Sequence, residues 1–355
     1  MKKRLTILLD AFTMGGAEHM AYELAKNIDT DYFDVSILCY MCKVDTLLEK
    51  QVESSFPVTY LNQRGHITLG TIWRVVRAIR KTKPDIVHAH MGGVAFGAVW
   101  SMLFHKPLVI TVHAKPEKAF TSKIEALVRM ALQAGRTKLV AVSAENEEMV
   151  RRYYNLDEKK CKCVNNGIDI QRFHRKKHEK FTLINVARQD DNKNQAALIR
   201  CFARLHEHAH GTKLLLLGDG VNHQRLKDLA EELGIADSVE FTGNVANTEE
   251  YYAISDVYVQ TSFREAMPLS VLEAMAAGLP IVSTNVGGLR DVVQDNGILI
   301  PAGDDEALYA AIKQIYMQDQ DKLGTMEKAS LRIVQGYSSE NMARAYEQIY
   351  REVSK

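Results

Sequence analysis

The chain has 355 residues, enough for two domains of ordinary size that each bury a core. With 46% hydrophobic and 25% charged residues the composition is that of a globular protein, and a net charge of +1 gives no argument for a nucleic-acid partner. No apolar run is long enough to span a bilayer, and five cysteines in a chain without a signal peptide predict reduced thiols in the cytoplasm.

Charge is distributed unevenly along the chain. Residues 1–173 carry 25 Lys and Arg against 18 Asp and Glu, whereas the remaining residues carry 20 against 26. We therefore expect the N-terminal half to meet anionic partners more readily than the C-terminal half.

Apolar strand-like runs alternate with helical segments in the N-terminal half. The predicted strands are "RLTILLD" (4–10), "FDVSILCY", "PDIVHAH", "PLVITVHA" and "KLVAVS". The predicted helices among them are "AEHMAYELAKNI", "TLGTIWRVVRAIRKTK", "SKIEALVRMALQAGR" and "AENEEMVRRYY". Apolar strands separated by helices indicate a parallel sheet covered on both faces.

A basic, turn-rich segment at 163–180 interrupts this alternation and predicts a linker. Strands then resume at 181–188, 212–220, 239–245, 256–262 and 279–286, and "SSENMARAYEQIYREVS" predicts a final helix. We expect two doubly wound α/β domains, of residues 1–173 and 174–337, facing across a cleft where the carboxyl ends of their strands bind ligands.

The stretch "SFREAMPLSVLEAM" places two glutamates around the start of a helix. Pro268 lies near the first helical position, so free N–H groups from about Met267 to Ser270 form a candidate anion site. Glu265 precedes this site, and Glu273 lies more than one turn inside, where its carboxylate needs a partner such as a ribose diol. The alternative is a pair of surface glutamates on an amphipathic helix.

Two cations and two glycines follow other predicted strands. Arg188 and Lys193, in "VARQDDNKNQ", could neutralise a diphosphate together, or could be solvated surface charges. Gly15 and Gly16 could let a phosphate approach a helix N-terminus, or form a plain turn. The chain has no phosphate-loop motif and no complete dinucleotide-binding fingerprint.

Three histidines lie at the ends of two predicted strands. His88 and His90 are two residues apart, so their side chains point to the same side and could form half of a metal site or pack as polar groups. No third ligand is evident, and no metal is expected. His113 ends the next strand and could donate a hydrogen bond to an anion or a sugar hydroxyl.

The run E-x-x-P-x-x-x-x-E of Glu265, Pro268 and Glu273, followed by "AMAAGLPIVSTNVGG", resembles the signature of family 4 glycosyltransferases. Gly15-Gly16, "PDIVHAH", "TVHA", "AVSAENEEMV", "NNGID", "VAR", "GDG" and "FTGNV" match that family in order, over nearly the whole chain. The resemblance implies a GT-B fold with two Rossmann-like domains, in which a last helix at about 338–355 crosses back to the N-terminal domain.

The resemblance also implies an activity and a set of roles. Such enzymes are retaining and metal-independent, need no cofactor and use a nucleotide sugar, here expected to be a UDP-sugar. The acceptor would be a saccharide or lipid-linked saccharide of a bacterial-type surface polysaccharide or glycolipid. Arg188 and Lys193 would bind the diphosphate, Glu273 the ribose, and Glu265 and His113 the transferred sugar. Further implied donor contacts are Gly16, Gly218, Val245 and the amides of Ala266, Met267 and Leu269; weaker acceptor candidates are Gly15 and His90.

One residue departs from the family's pattern, which usually has glycine where Ala266 stands. If that position needs a positive φ, alanine costs on the order of 1 kcal/mol. Two other functions remain open: a catalytically silent GT-B partner subunit that binds nucleotide or saccharide, and another GT-B enzyme such as a sugar-nucleotide epimerase.

The segment "IWRVVRAIRKTK" combines one aromatic side chain with several cations. Its candidate membrane contacts are Trp73, Arg74, Arg77, Arg80 and Lys81. We expect peripheral attachment to the anionic inner face of the cytoplasmic membrane, the alternative being an ordinary amphipathic helix packed on the sheet.

Overall fold

The computed structural model describes residues 2–354 and divides the chain into two compact units. The first comprises Met1–Gly167 and Ser339–Lys355, and the second Ile168–Ser338. The predicted boundaries at 173/174 and 337/338 lie close to these, and the predicted linker at 163–180 spans the first of them.

The first unit contains a parallel sheet of seven strands: β1 (Lys3–Leu9), β2 (Phe33–Met41), β3 (Val58–Gln63), β4 (Ile86–Ala89), β5 (Leu108–Val112), β6 (Thr137–Ala141) and β7 (Cys161–Cys163). Its helices are α1 (Gly16–Asn27), α2 (Leu47–Ser55), α3 (Leu69–Lys81), α4 (Gly93–Phe104), α5 (Pro116–Ala119), α6 (Ser122–Gln133) and α7 (Ala144–Tyr154). The strand order β3-β2-β1-β4-β5-β6-β7 reverses direction between β1 and β4, which is where doubly wound sheets bind ligands.

The second unit repeats this plan with six parallel strands: β8 (Thr182–Val186), β9 (Lys213–Leu217), β10 (Val239–Gly243), β11 (Val257–Gln260), β12 (Ile281–Thr284) and β13 (Gly297–Ile300). Its helices are α8 (Gln195–His206), α9 (His223–Glu232), α10 (Thr248–Ala253), α11 (Leu269–Ala276), α12 (Leu289–Val292), α13 (Asp305–Tyr316) and α14 (Gln320–Val334), with 3-10 turns at Ile170–Arg172, Ala236–Ser238 and Gln335–Tyr337. The order β10-β9-β8-β11-β12-β13 reverses between β8 and β11.

The last helix, α15 (Ser339–Val353), belongs to the first unit, as the family resemblance implies. Its buried apolar residues recur at helical spacing and form one stripe: Met342, Ala343, Tyr346, Ile349 and Tyr350. This stripe shares a core with Leu5, Ile7 and Leu9 of β1, while Leu8 of the same strand faces a second core against α4. The alternation follows from the two-residue period of a strand buried on both faces.

Three strands are missing from the sequence-based prediction: β3, β7 and β13. Each lies at an edge of its sheet. The predicted linker at 163–180 includes the last residue of β7, Cys163, and this assignment is wrong for that residue. None of the five cysteines forms a disulfide within the described residues 2–354.

Candidate functional site

The loop between β11 and α11 carries Glu265. The helix begins at Leu269, and Pro268 is its N-cap residue with extended backbone (φ −73°, ψ 129°). Proline suits a helix start because it has no N–H to leave unpaired. The free N–H groups of the helix N-terminus therefore begin at Leu269, and the expectation that they begin at Met267 is wrong by two residues.

Glu265 is held by two donors at one carboxylate oxygen. The Lys193 ammonium lies 2.6 Å from Glu265 Oε1, and the Gln260 side-chain amide donates to the same oxygen over 2.7 Å. Gln260 is positioned by the buried Tyr258, whose hydroxyl lies 2.7 Å from Gln260 Oε1. The Lys193 and Glu265 side chains are only 19% and 11% exposed, so solvent screens this ion pair little.

Arg188 contacts a different carboxylate. Its Nε lies 2.7 Å from Asp190 Oδ2, and its side chain is 76% exposed. Asp190 also accepts from the Lys193 backbone N–H through Oδ1 at 3.2 Å. The structure thus pairs each cation with its own carboxylate, whereas the sequence analysis expects both to reach one spot. Asp190 was missed, although it stands between the two cations in "RQDDNK".

Glu273 lies in the second turn of α11 and has a protein partner. Its Oε2 accepts a hydrogen bond of 3.0 Å from the hydroxyl of Tyr252, a residue of α10. Burial, reinforced by the charge of Glu273, raises the pKa of Tyr252 well above its ordinary value and keeps it a donor. The expectation that this carboxylate needs a partner is therefore met in part by Tyr252, which the sequence analysis missed.

Glycines shape the backbone around these side chains. Gly218 has φ +114°, and a side chain there would overlap the Ala187 carbonyl at the end of β8. Gly287 has φ +58° and packs against the Glu265 and Ala266 backbone, while the Gly288 N–H donates to Ala266 O over 2.7 Å. Ala266 itself lies outside the positive-φ region, so alanine is not strained there.

The remaining predicted donor and acceptor contacts are backbone positions. Val245 is half-buried and follows the end of β10. Gly15 is the N-cap residue of α1 and Gly16 its first residue. Gly15 has φ −88°, which any residue adopts, and a side chain there would meet the Glu18 carboxylate.

Asp10 is a half-buried carboxylate immediately after β1 that the sequence analysis did not single out. It accepts from the Gly93 N–H at 3.1 Å, at the start of α4, and bonds with the Tyr40 hydroxyl. Burial raises the pKa of Asp10 to about 6, although these hydrogen bonds oppose the change. A charged residue that ends an apolar strand is the signal that could have identified it.

The three histidines of β4 and β5 form two distinct arrangements. His88 is fully buried, and its Nε2 and Nδ1 lie 2.7 Å from the hydroxyls of Thr111 and Tyr350, respectively. The bond to Tyr350 links α15 to the sheet. His90 Nδ1 lies 3.0 Å from His113 Nε2. Burial lowers the pKa of His88 to about 3 and that of His113 to about 4, so both rings are neutral at physiological pH.

Within residues 2–354, no group of three or more His, Cys, Asp or Glu side chains has the geometry of a metal site.

The outer face of α3 is both apolar and basic. Trp73 is 63% exposed and Leu69 78% exposed, whereas Val76 and Ile79 are buried. All the cations predicted to contact a membrane lie exposed on this helix: Arg74, Arg77, Arg80 and Lys81. In the part of the chain that the structure describes, no helix combines the length and apolar character required to cross a bilayer.

Comparison with known proteins supplies the family. The profile described as Glycosyl transferases group 1 matches residues 168–331, and that described as Glycosyltransferase Family 4 matches residues 14–172. The chain belongs to glycosyltransferase family 4. EpsD of Bacillus subtilis, named a glycosyltransferase, is 31% identical to this family 4 chain over 217 residues, which are 60% of this chain and 55% of EpsD.

Two further proteins resemble this family 4 chain. LpsE of Rhizobium meliloti, named a lipopolysaccharide core biosynthesis glycosyltransferase, is 32% identical over 169 residues, 47% of this chain and 48% of LpsE. The chain thus spans about half the length of these curated relatives. HepE of Anabaena, solved with UDP and glucose, has a TM-score of 0.85 at 20% identity over 99% of this chain and 100% of HepE, which confirms the GT-B fold.

Proposed function

We propose that this protein is a retaining glycosyltransferase that moves a sugar from a UDP-sugar to a saccharide or lipid-linked saccharide in surface polysaccharide or glycolipid synthesis. The observation that carries the proposal is the shielded Lys193–Glu265 pair beside the N-terminus of α11. HepE was solved with UDP and glucose, and LpsE is named for lipopolysaccharide core biosynthesis, which supports the donor and acceptor classes.

In this proposal the donor is bound through its nucleotide and its diphosphate. Glu273 accepts from the ribose hydroxyls, and the free amides at the start of α11 face the phosphates. An ammonium has three donor hydrogens, so Lys193 can serve Glu265 and a phosphate oxygen together. The exposed Arg188 side chain can exchange Asp190 for the diphosphate at little cost, because a surface ion pair contributes only about 0–1 kcal/mol.

The chemical step breaks the bond between the anomeric carbon and the diphosphate oxygen. Lys193 and Arg188 stabilise the negative charge of the leaving group, and Glu265 faces the positive charge that develops at the sugar. The acceptor oxygen forms its new bond on the same face of the sugar and passes its proton to the departing phosphate oxygen. The configuration is therefore retained, and the two cations supply the charge that a metal ion would supply elsewhere.

The test is a panel of UDP- and GDP-sugars, with donor hydrolysis and UDP affinity measured for the wild type and for Glu273→Gln. Loss of hydrogen bonds to a charged acceptor costs about 1.5–3 kcal/mol, so UDP affinity should fall by about 10- to 100-fold. Glu231→Gln, on an exposed position of α9 in the same unit, is the matched control and should bind UDP as the wild type does.

The outcomes separate the candidate functions. Turnover of one UDP-sugar, lost on Lys193→Gln while UDP still binds, supports the transferase. Tight UDP binding without turnover of any donor would instead favour the silent partner subunit. Unchanged UDP affinity in Glu273→Gln, with no donor turned over, would refute the proposed site.

We further propose that the exposed face of α3 attaches the protein to an anionic membrane. Each cation near such a surface contributes about 1 kcal/mol, and Trp73 supplies an interfacial anchor. Co-sedimentation with phosphatidylglycerol-containing vesicles should decline with salt and fall about tenfold or more in the double variant Arg74→Gln/Arg77→Gln. The matched control is Arg225→Gln, an exposed arginine of α9. No binding to vesicles at low salt would end the proposal.

A further inference from the structure

His90 and His113 share a hydrogen bond whose direction can be inferred from burial. His90 follows β4, His113 follows the adjacent β5, and the distance from His90 Nδ1 to His113 Nε2 is 3.0 Å. His90 is only 1% exposed, whereas His113 is half-buried. The ring of His90 also packs on the ring of His88, with 4.1 Å between the ring centroids.

Only one proton lies between the two facing nitrogens. Burial lowers the pKa of His113 to about 4 and that of His90 well below its ordinary value, so each ring is neutral and carries a single N–H. One ring must therefore donate and the other accept. The choice fixes the tautomer of both, because a neutral imidazole that accepts at one nitrogen holds its proton on the other.

The second nitrogen of His90 decides between the two arrangements. His90 Nε2 is buried and has no hydrogen-bond partner within residues 2–354. If His90 accepted at Nδ1, its proton would lie on Nε2 as an orphaned buried donor. Buried N–H groups without an acceptor are rarer than under-satisfied acceptors, because an orphaned donor keeps its full desolvation penalty. His90 therefore holds its proton on Nδ1 and donates it to His113 Nε2.

We propose that His90 is a positioning residue that makes His113 a hydrogen-bond donor through Nδ1. With Nε2 occupied as an acceptor, His113 carries its own proton on Nδ1, the nitrogen that His90 does not engage. The inference rests on the proposed function and on the role that the family resemblance implies for His113, a contact with the transferred sugar. The family resemblance implies a different role for His90, which is a weak candidate for contact with the acceptor.

The tautomer can be measured without any substrate. In protein labelled with ¹³C and ¹⁵N histidine, the ring shifts of His113 should identify the Nδ1–H tautomer in the wild type. His90→Asn keeps an amide donor near the position of Nδ1 and should preserve that tautomer, whereas His90→Phe removes the donor and should release His113 to the Nε2–H form. An Nε2–H tautomer of His113 in the wild type would overturn the inference.

Kinetics supply the second readout. His90→Phe should lower kcat by about 10- to 100-fold, as expected for a misdirected donor, with UDP affinity unchanged, and His90→Asn should recover kcat to within about threefold of the wild type. Equal kcat in His90→Phe and the wild type would also overturn the inference. If His113 is the Nδ1–H tautomer but no sugar is transferred from any donor, the proposed function fails while the tautomer assignment stands.

Discussion

Replacing Asp10 by asparagine should stabilise the first unit at neutral pH and leave it nearly unchanged in acid. The pKa of this carboxyl is raised from an ordinary 3.8 to about 6, chiefly by burial. Well below pH 3.8 the group is protonated in both the folded and the unfolded chain, and its burial carries no charge penalty. As the pH rises from 3.8 to 6 the unfolded chain ionises first, so stability is lost over this range.

The magnitude follows from the same shift. About two pKa units at 1.36 kcal/mol each give about 3 kcal/mol. Asparagine resembles the protonated acid, and its amide oxygen can still accept from the Gly93 N–H. The free energy of unfolding of Asp10→Asn should therefore exceed that of the wild type by about 2–3 kcal/mol more at pH 8 than at pH 4.

The assay is urea unfolding followed by tryptophan fluorescence. The chain has two tryptophans, Trp73 and Trp100, and both lie in the first unit, so the signal reports the unit that contains Asp10. The difference between variant and wild type is the useful quantity, because the buried neutral histidines lower the stability of both proteins in acid. Asp31→Asn, at an exposed position, is the control. A difference for Asp10→Asn that stays constant from pH 4 to pH 8 would refute the reasoning.

Three other substitutions test the packing. Gly218→Ala should lower the free energy of unfolding of the second unit by about 3 kcal/mol, measured by calorimetry, because the added carbon overlaps the Ala187 carbonyl. The control Gly211→Ala should cost only about 1 kcal/mol, because Gly211 also has a positive φ but no atom lies within 4 Å of the added carbon. Equal losses in the two variants would contradict the overlap. Tyr350→Phe should cost about 1–3 kcal/mol in tryptophan-detected unfolding because His88 Nδ1 loses its partner, and unchanged stability would show that this bond contributes nothing. Ala266→Gly should lower the free energy of unfolding by up to about 1 kcal/mol, because glycine raises the entropy of the unfolded chain, and should leave UDP affinity within about twofold of the wild type. A tenfold gain in UDP affinity would mean that the alanine is strained.

The central strands of both sheets could be predicted from the sequence, and three edge strands could not. A strand buried on both faces is nearly continuous in apolar residues, as β1 and β5 are. The edge strand β3 has no fully buried residue, and β7 has three residues of which one is buried, so neither leaves a clear hydrophobic run. The signal fails where burial is incomplete.

The candidate site could be predicted as a set of residues but not as a set of pairs. Glu265, Lys193 and Glu273 follow from motif and position, yet their partners lie on other elements. Gln260 and Tyr252 are neutral side chains whose sequence neighbours carry no signature of a site. The direction in which Arg188 turns depends on Asp190, and only the folded loop shows it.

The discontinuous first unit has a consequence for biosynthesis. The bond between Tyr350 and His88 joins residues 262 positions apart, and α15 covers a core that includes β1. During translation the second unit, which is continuous, can fold as soon as it leaves the ribosome, whereas the N-terminal sheet waits for α15. A premature stop codon before Ser339 should therefore expose the apolar face of the N-terminal sheet that α15 covers, and a nascent-chain chaperone is expected to be needed for that sheet until α15 has been made.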